Sequence, residues 1–217
     1  MDEKNNKISM VLLSTTYFGP VQWYQKLNVA DVAYIEAYEN YCKQTYRNRC
    51  VIATANGPQA LTVPVERPAD TDLNRCRIRD LRISDHGRWR QLHWNALQSA
   101  YSESPFFEYY ADDLRPFFER HYDFLFDFNM EICLTMCELL DVRPTIKLTT
   151  EYTKKADLAD ATADYRDAIV PKHPQPDNGF VPRPYYQVFA SRTGFLPNLS
   201  VLDLLFNMGP EGIFLLK

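Results

Sequence analysis

The chain has 217 residues, with 24 lysines and arginines against 28 aspartates and glutamates and a formal net charge of -4. That balance argues against nucleic-acid binding, which takes a basic surface to neutralise phosphates, while the length is enough to bury a core as one domain, 1–217, without disulfide or metal staples. No segment approaches the roughly 18 uninterrupted apolar residues of a membrane span, and no long apolar stretch follows the N-terminal MDEKNNK, so a soluble cytoplasmic protein is expected.

The chain opens with a strand, loop, helix and strand in succession. Met10 to Leu13 is a short apolar run that suits a strand covered on both faces. Tyr17 to Pro20 turns the chain, and Pro20 fits the first position of a helix running to about Leu27, where its missing N–H costs nothing. From Val29 to Ala37 the residues alternate as a second strand. A parallel pair joined in this way leaves a helix N-terminus with free N–H groups beside the carboxyl end of the first strand, where open α/β sheets bind ligands.

A polar and aromatic loop, 40–48, follows. Cys50 to Ala55 and Leu61 to Val65 flank Asn56-Gly57, a dipeptide suited to a tight turn, and so predict an antiparallel hairpin that joins the same sheet. Arg67 to Arg75 is a polar connection. Cys76, Ile78, Leu81 and Ile83 suggest a further strand containing one bulge. Ser84 or Asp85 is placed to cap a helix in which Trp89, Leu92, Ala96, Leu97 and Ala100 recur at helical spacing. Ser104-Pro105 restarts a helix, Pro116 marks another break, and a broad apolar helix runs from about Phe128 to Leu140.

Thr145 to Thr149 alternates as a strand, and Asp157 to Ile169 reads as a short polar helix. The prolines between Pro171 and Pro184 predict a long surface loop. Tyr185 to Phe189 reads as a last strand. Ser200 and Asp203 have capping-box spacing at the start of Val201 to Phe206, an apolar helix that must dock into the core and that Gly209 and Pro210 end. The expected class is therefore α/β: a mixed sheet with an N-terminal strand-loop-helix-strand unit, an antiparallel hairpin and a helix-rich middle.

Arg47 and Arg49 fall on one side of a strand beginning at the end of the 40–48 loop. Two guanidiniums so placed suit a phosphate or carboxylate, although residue type alone favours a structural clamp on acidic side chains or carbonyls. Tyr17 and the helix N-terminus after Pro20 lie beside the same crevice. The loop between them lacks the glycines of a phosphate-cradling loop or a dinucleotide fingerprint, so no nucleotide cofactor is expected. His86 and His93, seven apart, make a thin case for acid–base work and a thinner one for a metal, because no HExxH or cysteine–histidine set completes a coordination shell. The five cysteines, Cys42, Cys50, Cys76, Cys133 and Cys137, are odd in number and contain no CxxC pair, which fits a reducing compartment. Cys133 and Cys137 lie in an apolar stripe and read as core. No Gly-x-Ser-x-Gly elbow anchors a hydrolase triad, and Asp112-Asp113 is more simply a helix-start feature.

The chain resembles the WbqC-like family nearly end to end. The resemblance rests on Tyr17-Phe18-Gly19-Pro20, on Gln44 with Tyr46-Arg47-Asn48-Arg49, on Leu61-Thr62-Val63-Pro64-Val65, on His93-Trp94 with Tyr101, on Pro105-Phe106-Phe107, and on Pro197-Asn198-Leu199-Ser200 running into Val201 to Phe206. Thr15-Thr16 stands where many members have Gln-Pro, and the proline-rich loop from Pro171 replaces a glycine-rich turn. The family is associated with surface-polysaccharide and O-antigen synthesis and with transfer of glycine or a similar group. The resemblance thus implies a transferase that takes an anionic small-molecule donor, with Tyr17, Gln44, Arg47, Asn48 and Arg49 binding substrate and His93 catalytic. Its rival is a non-catalytic binding or scaffolding protein of the same pathway.

Overall fold

The structure, a computed structural model, describes residues 8–69, 72–159 and 162–217; the charged stretch 1–7 and parts of the expected 67–75 connection and 157–169 helix lie outside them. Strand β1 (Ile8–Ser14), helix α1 (Val21–Val29) and strand β2 (Ala30–Glu36) follow one another as the apolar pattern indicated. The two strands are parallel, with Leu12 opposite Tyr34 and Ser14 opposite Glu36. Val11, Leu13, Ala33 and Ile35 are at most 1% exposed and share one face, on which α1 packs. On the other face Leu12 is 2% exposed while Met10, Val32 and Tyr34 are half-buried, so the covering expected on both sides of β1 is complete on one face and partial on the other.

The start of α1 differs from the expectation of free N–H groups. Pro20 stands just before the helix, at its N-cap. Asn198 Oδ1 accepts from Gln22 N at 2.9 Å, and the Leu199 carbonyl accepts from Val21 N at 2.9 Å. The orphan amides that could have held an anion are thus filled by the C-terminal part of the chain.

Strands β3 (Arg49–Thr54) and β4 (Gly57–Thr62) form the expected antiparallel hairpin. It does not join the parallel sheet but stands as a sheet of its own. Ala55 and Asn56 make the corner and Gly57, at φ 101°, follows it. The positive φ thus falls one residue later than a two-residue Asn-Gly turn would place it, as in a turn closed by a glycine bulge.

Between Cys76 and Ile83 there is no strand. Short 3-10 turns at Leu73–Arg75 and Ile78–Asp80 are joined to their neighbours by single bridges, Asn40 with Arg77 and Val65 with Ile83. The apolar residues recur because Ile78, Leu81 and Ile83 each plug the core, at intervals set by the turns.

The helical middle comprises α2 (Trp89–Tyr101), α3 (Phe107–Leu114), α4 (Pro116–Glu119) and α5 (Leu125–Leu139). Neither Ser84 nor Asp85 caps α2, whose N-cap is Arg88. His86 precedes the helix and so shares no helical face with His93, and Leu92 is 63% exposed. In α5, Ile132, Cys133, Met136 and Cys137 are buried, both cysteines being core thiols as expected.

Strand β5 (Ile146–Leu148) pairs parallel with β2. Strand β6 (Thr162–Asp164) lies where a polar helix was expected and pairs parallel with the other edge of β1. The parallel sheet runs in the order β5, β2, β1, β6. Tyr185 to Phe189 is not a strand; it leads into one helical turn, α6 (Ala190–Thr193).

Helix α7 (Val201–Met208) is buried from Val201 to Asn207. Ser200 caps it, accepting from Leu202 N, while donating to the Phe18 carbonyl at 2.8 Å. Ser200 N also donates to Val51 O, and Val201 N to Gly19 O. The start of α7 therefore ties the β1–α1 loop to the hairpin. Asp203 does not complete a capping box: its carboxylate accepts instead from Tyr101 and Tyr185 hydroxyls and from Gln187 Nε2. No described helix is long and apolar enough to cross a membrane.

Candidate functional site

Strands β1, β2, β5 and β6 end at Ser14, Glu36, Leu148 and Asp164. The chain passes from β1 to β2 and on to β5 on one side, and β6 arrives on the other side of β1. The connections therefore diverge between β1 and β6, the position at which a parallel sheet opens a crevice at its carboxyl end. The segments following β2, β5 and β6, with Arg47 and Arg77, line an open cavity of about 580 Å3 whose charged residues are Glu39, Arg47, Arg77, Glu151, Arg166 and Asp167. That volume falls in the range of small-molecule sites, roughly 300 to 1,000 Å3.

One wall is built on Arg47. The loop carrying it is fixed by backbone bonds: Tyr46 O accepts from Tyr17 N, and Asn48 O accepts from Val63 N. Asn129 Nδ2 also donates to Arg47 O at 2.7 Å. So placed, the Arg47 side chain reaches the end of β1. Its Nε and Nη2 hold the two Glu39 carboxylate oxygens at 2.9 and 2.5 Å, and Nη2 also donates to Ser14 Oγ at 2.7 Å. Arg47 and Glu39 are 3% and 5% exposed. Burial raises the Glu39 carboxyl above its ordinary value, against the lowering effect of its bonds to Arg47 and Ser14. Arg47 is pulled down by burial and held up, on balance, by Glu39.

The floor is a second ion network. Glu36, fully buried at the end of β2, accepts from Arg166 Nη1 at 3.0 Å, from Thr149 Oγ1 at 2.7 Å and from the amides of Tyr38 and Thr153. Arg166 Nε and Nη2 grip Asp164 at 3.0 and 2.7 Å. Burial would raise the Asp164 carboxyl, but Arg166 more than offsets this and holds it below its ordinary value. These contacts tie the ends of β2, β5 and β6 beneath the cavity. Buried charges need such pairing to be tolerated at all.

Arg77, Glu151 and Asp167 are exposed on the same cavity. Among the described residues none of their side chains forms an ion pair or a hydrogen bond, although the Asp167 carboxylate helps to hold up the Arg47 guanidinium through space. The Arg77 guanidinium lies 5.7 Å from the centroid of the Tyr38 ring. The isolated bridge between Asn40 and Arg77 holds that side chain's backbone at the rim. The free charges of the site are thus one cation and two carboxylates, set beside two ion networks that together hold two cations, Arg47 and Arg166, and three carboxylates, Glu39, Glu36 and Asp164.

The residues singled out from the sequence divide between this cavity, the core and the surface. Arg47 lines the cavity; the other five do not. Tyr17 and His93 meet each other, Tyr17 Oη and His93 Nδ1 being 2.9 Å apart, and the imidazole packs edge-on to Trp89. Both are buried, at 0% and 5% exposure, and burial lowers the His93 pKa to about 4. Asn48 is buried with its Nδ2 on the Val63 carbonyl. Arg49 is half-buried and donates to Thr62 Oγ1 across the hairpin. Gln44 is exposed at a φ of 61° in the preceding turn.

Glu36, Glu39, Arg77 and Arg166 were not singled out from the sequence. Arg77 stood in what read as a strand and Arg166 in what read as a helix; the cluster Asp164, Arg166, Asp167 was the available signal. Among the described residues no group of three His, Cys, Asp or Glu side chains could hold a metal ion.

The model of the WbqC-like protein family matches residues 15–172, the stretch that contains both ion networks and every charged cavity residue named above. Among curated proteins, "Uncharacterized protein Rv1507c" of Mycobacterium tuberculosis is 29% identical, over 79% of this chain and 81% of its own length. No solved structure matches. With that family match spanning most of the sequence, the chain belongs to the WbqC-like protein family.

Proposed function

We propose that the chain binds an anionic small molecule in the cavity at the carboxyl end of the parallel sheet, and that it serves as a group-transfer enzyme in surface-polysaccharide assembly, the context the family resemblance implies. The whole chain, 1–217, acts in this reading as one domain. The observation that carries the binding reading is Arg77, a guanidinium without a carboxylate partner among the described residues, on the rim of a cavity whose Arg47 wall is already fixed. The Arg47 wall needs no further ordering when a ligand enters, and the Arg77 guanidinium is free to pair with a carboxylate or phosphate.

The non-catalytic reading has its own support. His93, the acid–base candidate, is buried against Tyr17 and Trp89 and is absent from the cavity wall. Glu39, which does line the cavity, is occupied by Arg47 and Ser14. A thermal-shift panel of small carboxylates, sugar phosphates, nucleotide sugars and acyl donors tests the binding reading, because a ligand that binds only the folded chain raises its Tm. A rise with an anionic compound that is lost in Arg77→Ala, with the unliganded Tm unchanged, is expected. Equal shifts in both proteins would overturn the proposal.

A further inference from the structure

Resting on the cavity as the binding site, we infer that its ligand carries a cationic amine beside its anionic group. Six charged side chains line the cavity, but they do not contribute equally. Arg47 and Glu39 neutralise each other, and Arg166 is held between Glu36 and Asp164. The lining side chains outside any ion pair among the described residues are one cation, Arg77, and two carboxylates, Glu151 and Asp167, and the Arg166 network adds a carboxylate in excess. A ligand with anionic charge alone would gain from Arg77 and be repelled by the two carboxylates that line the same cavity. A dication would suffer the converse at Arg77. A molecule with one ammonium and one carboxylate or phosphate meets all three groups with opposite charge, and such complementarity acts mainly by rejecting the wrong partner. The shared chemistry is therefore an amine-bearing small acid, which an amino carboxylate and an amino-sugar phosphate both supply.

Matched probes separate the possibilities. We would titrate the full chain with 5-aminovalerate and with its anion-only and cation-only counterparts, glutarate and cadaverine, and separately with glucosamine 6-phosphate against glucose 6-phosphate. The amine-bearing member of one pair should bind about tenfold or more tightly than its anion-only counterpart, and whichever pair responds identifies the acid as carboxylate or phosphate. In Glu151→Gln/Asp167→Asn, which alters two exposed side chains, that preference should fall to near unity while the anion-only compound binds better. If glutarate or glucose 6-phosphate binds as well as its amine partner in the native chain, the amine is overturned and the anion site stands. If no probe binds at about 10 mM, both are overturned.

Discussion

Replacing Arg47 with lysine keeps the charge and removes the fork. In the native chain Nε and Nη2 each hold one oxygen of Glu39, and Nη2 adds Ser14. An ammonium acts as a point charge and cannot reproduce that two-point geometry. The loss is at least one charge-assisted bond in a nearly dry setting, about 1.5 to 3 kcal/mol. In a chain of this size that lowers Tm by about 3 to 12 °C. Arg47→Met goes further, leaving the Glu39 carboxylate buried without its cation, for roughly 3 to 5 kcal/mol.

The second substitution has a pH signature. Burial already raises the Glu39 pKa, and the bond to Arg47 opposes that rise. Without Arg47 the folded-state pKa moves further up. A carboxyl whose pKa is raised on folding is favoured in its protonated form, so its penalty grows as pH rises through the folded value and vanishes below the unfolded one. The gap between Arg47→Met and the native chain should therefore be widest at neutral pH and narrow on acidification. Denaturant melts at a series of pH values measure it. An Arg47→Lys chain that melts within about 1 °C of the native one, or a gap in Arg47→Met that does not depend on pH, would refute the clamp.

Other consequences follow from single features. Gly57→Val places a β-branched residue at φ 101° and should cost about 1 to 3 kcal/mol through backbone strain alone, since a Cβ there meets nothing within 4 Å; an unchanged denaturation midpoint would contradict this. Truncation before Ser200 removes α7, buried from Val201 to Asn207, and should abolish the cooperative thermal transition, whereas a sharp melt of the truncated chain would overturn the role given to that helix. His93, with a pKa lowered from 6.5 to about 4 by burial, contributes stability that is present above pH 6.5 and is lost as pH falls toward 4, about 3 kcal/mol in all. The pH dependence of stability over that interval should flatten in His93→Gln, and an unaltered slope would contradict the burial argument.

What could be read from the sequence was what local chemistry specifies. The run Met10 to Leu13, the Asn56-Gly57 corner and the apolar Val201 to Phe206 each carry their own signal, and β1, the hairpin and α7 lie there. Strand β6 was missed because three residues, Thr162 to Asp164, show no alternation or apolar run; pairing with β1 makes them a strand, and that pairing is tertiary. The segment from Cys76 to Ile83 failed for the opposite reason. Its apolar spacing was real, but 3-10 turns at Leu73–Arg75 and Ile78–Asp80 produce the same rhythm as a bulged strand.

For the site, sequence reasoning found Arg47 through its neighbourhood. It had no means of seeing that Glu39, eight residues earlier, would hold both arms of its guanidinium. Glu36 and Arg166 are separated by 130 residues, beyond any local pattern. The helix N-terminus after Pro20 looked available because its caps, Asn198 and Leu199, are supplied from the far end of the chain.

In the binding reading proposed above, an anionic ligand sits at Arg77, in the cavity, and not at Arg49 beside the hairpin. Calorimetric titration of the tightest compound from the thermal-shift panel into the native chain, Arg77→Ala and Arg49→Ala tests it most directly, since each variant removes one cation. A roughly tenfold or greater loss of affinity is expected in Arg77→Ala, from losing a charge-assisted contact, with Arg49→Ala binding as the native chain does. Native affinity in Arg77→Ala, with the loss appearing in Arg49→Ala, would contradict it.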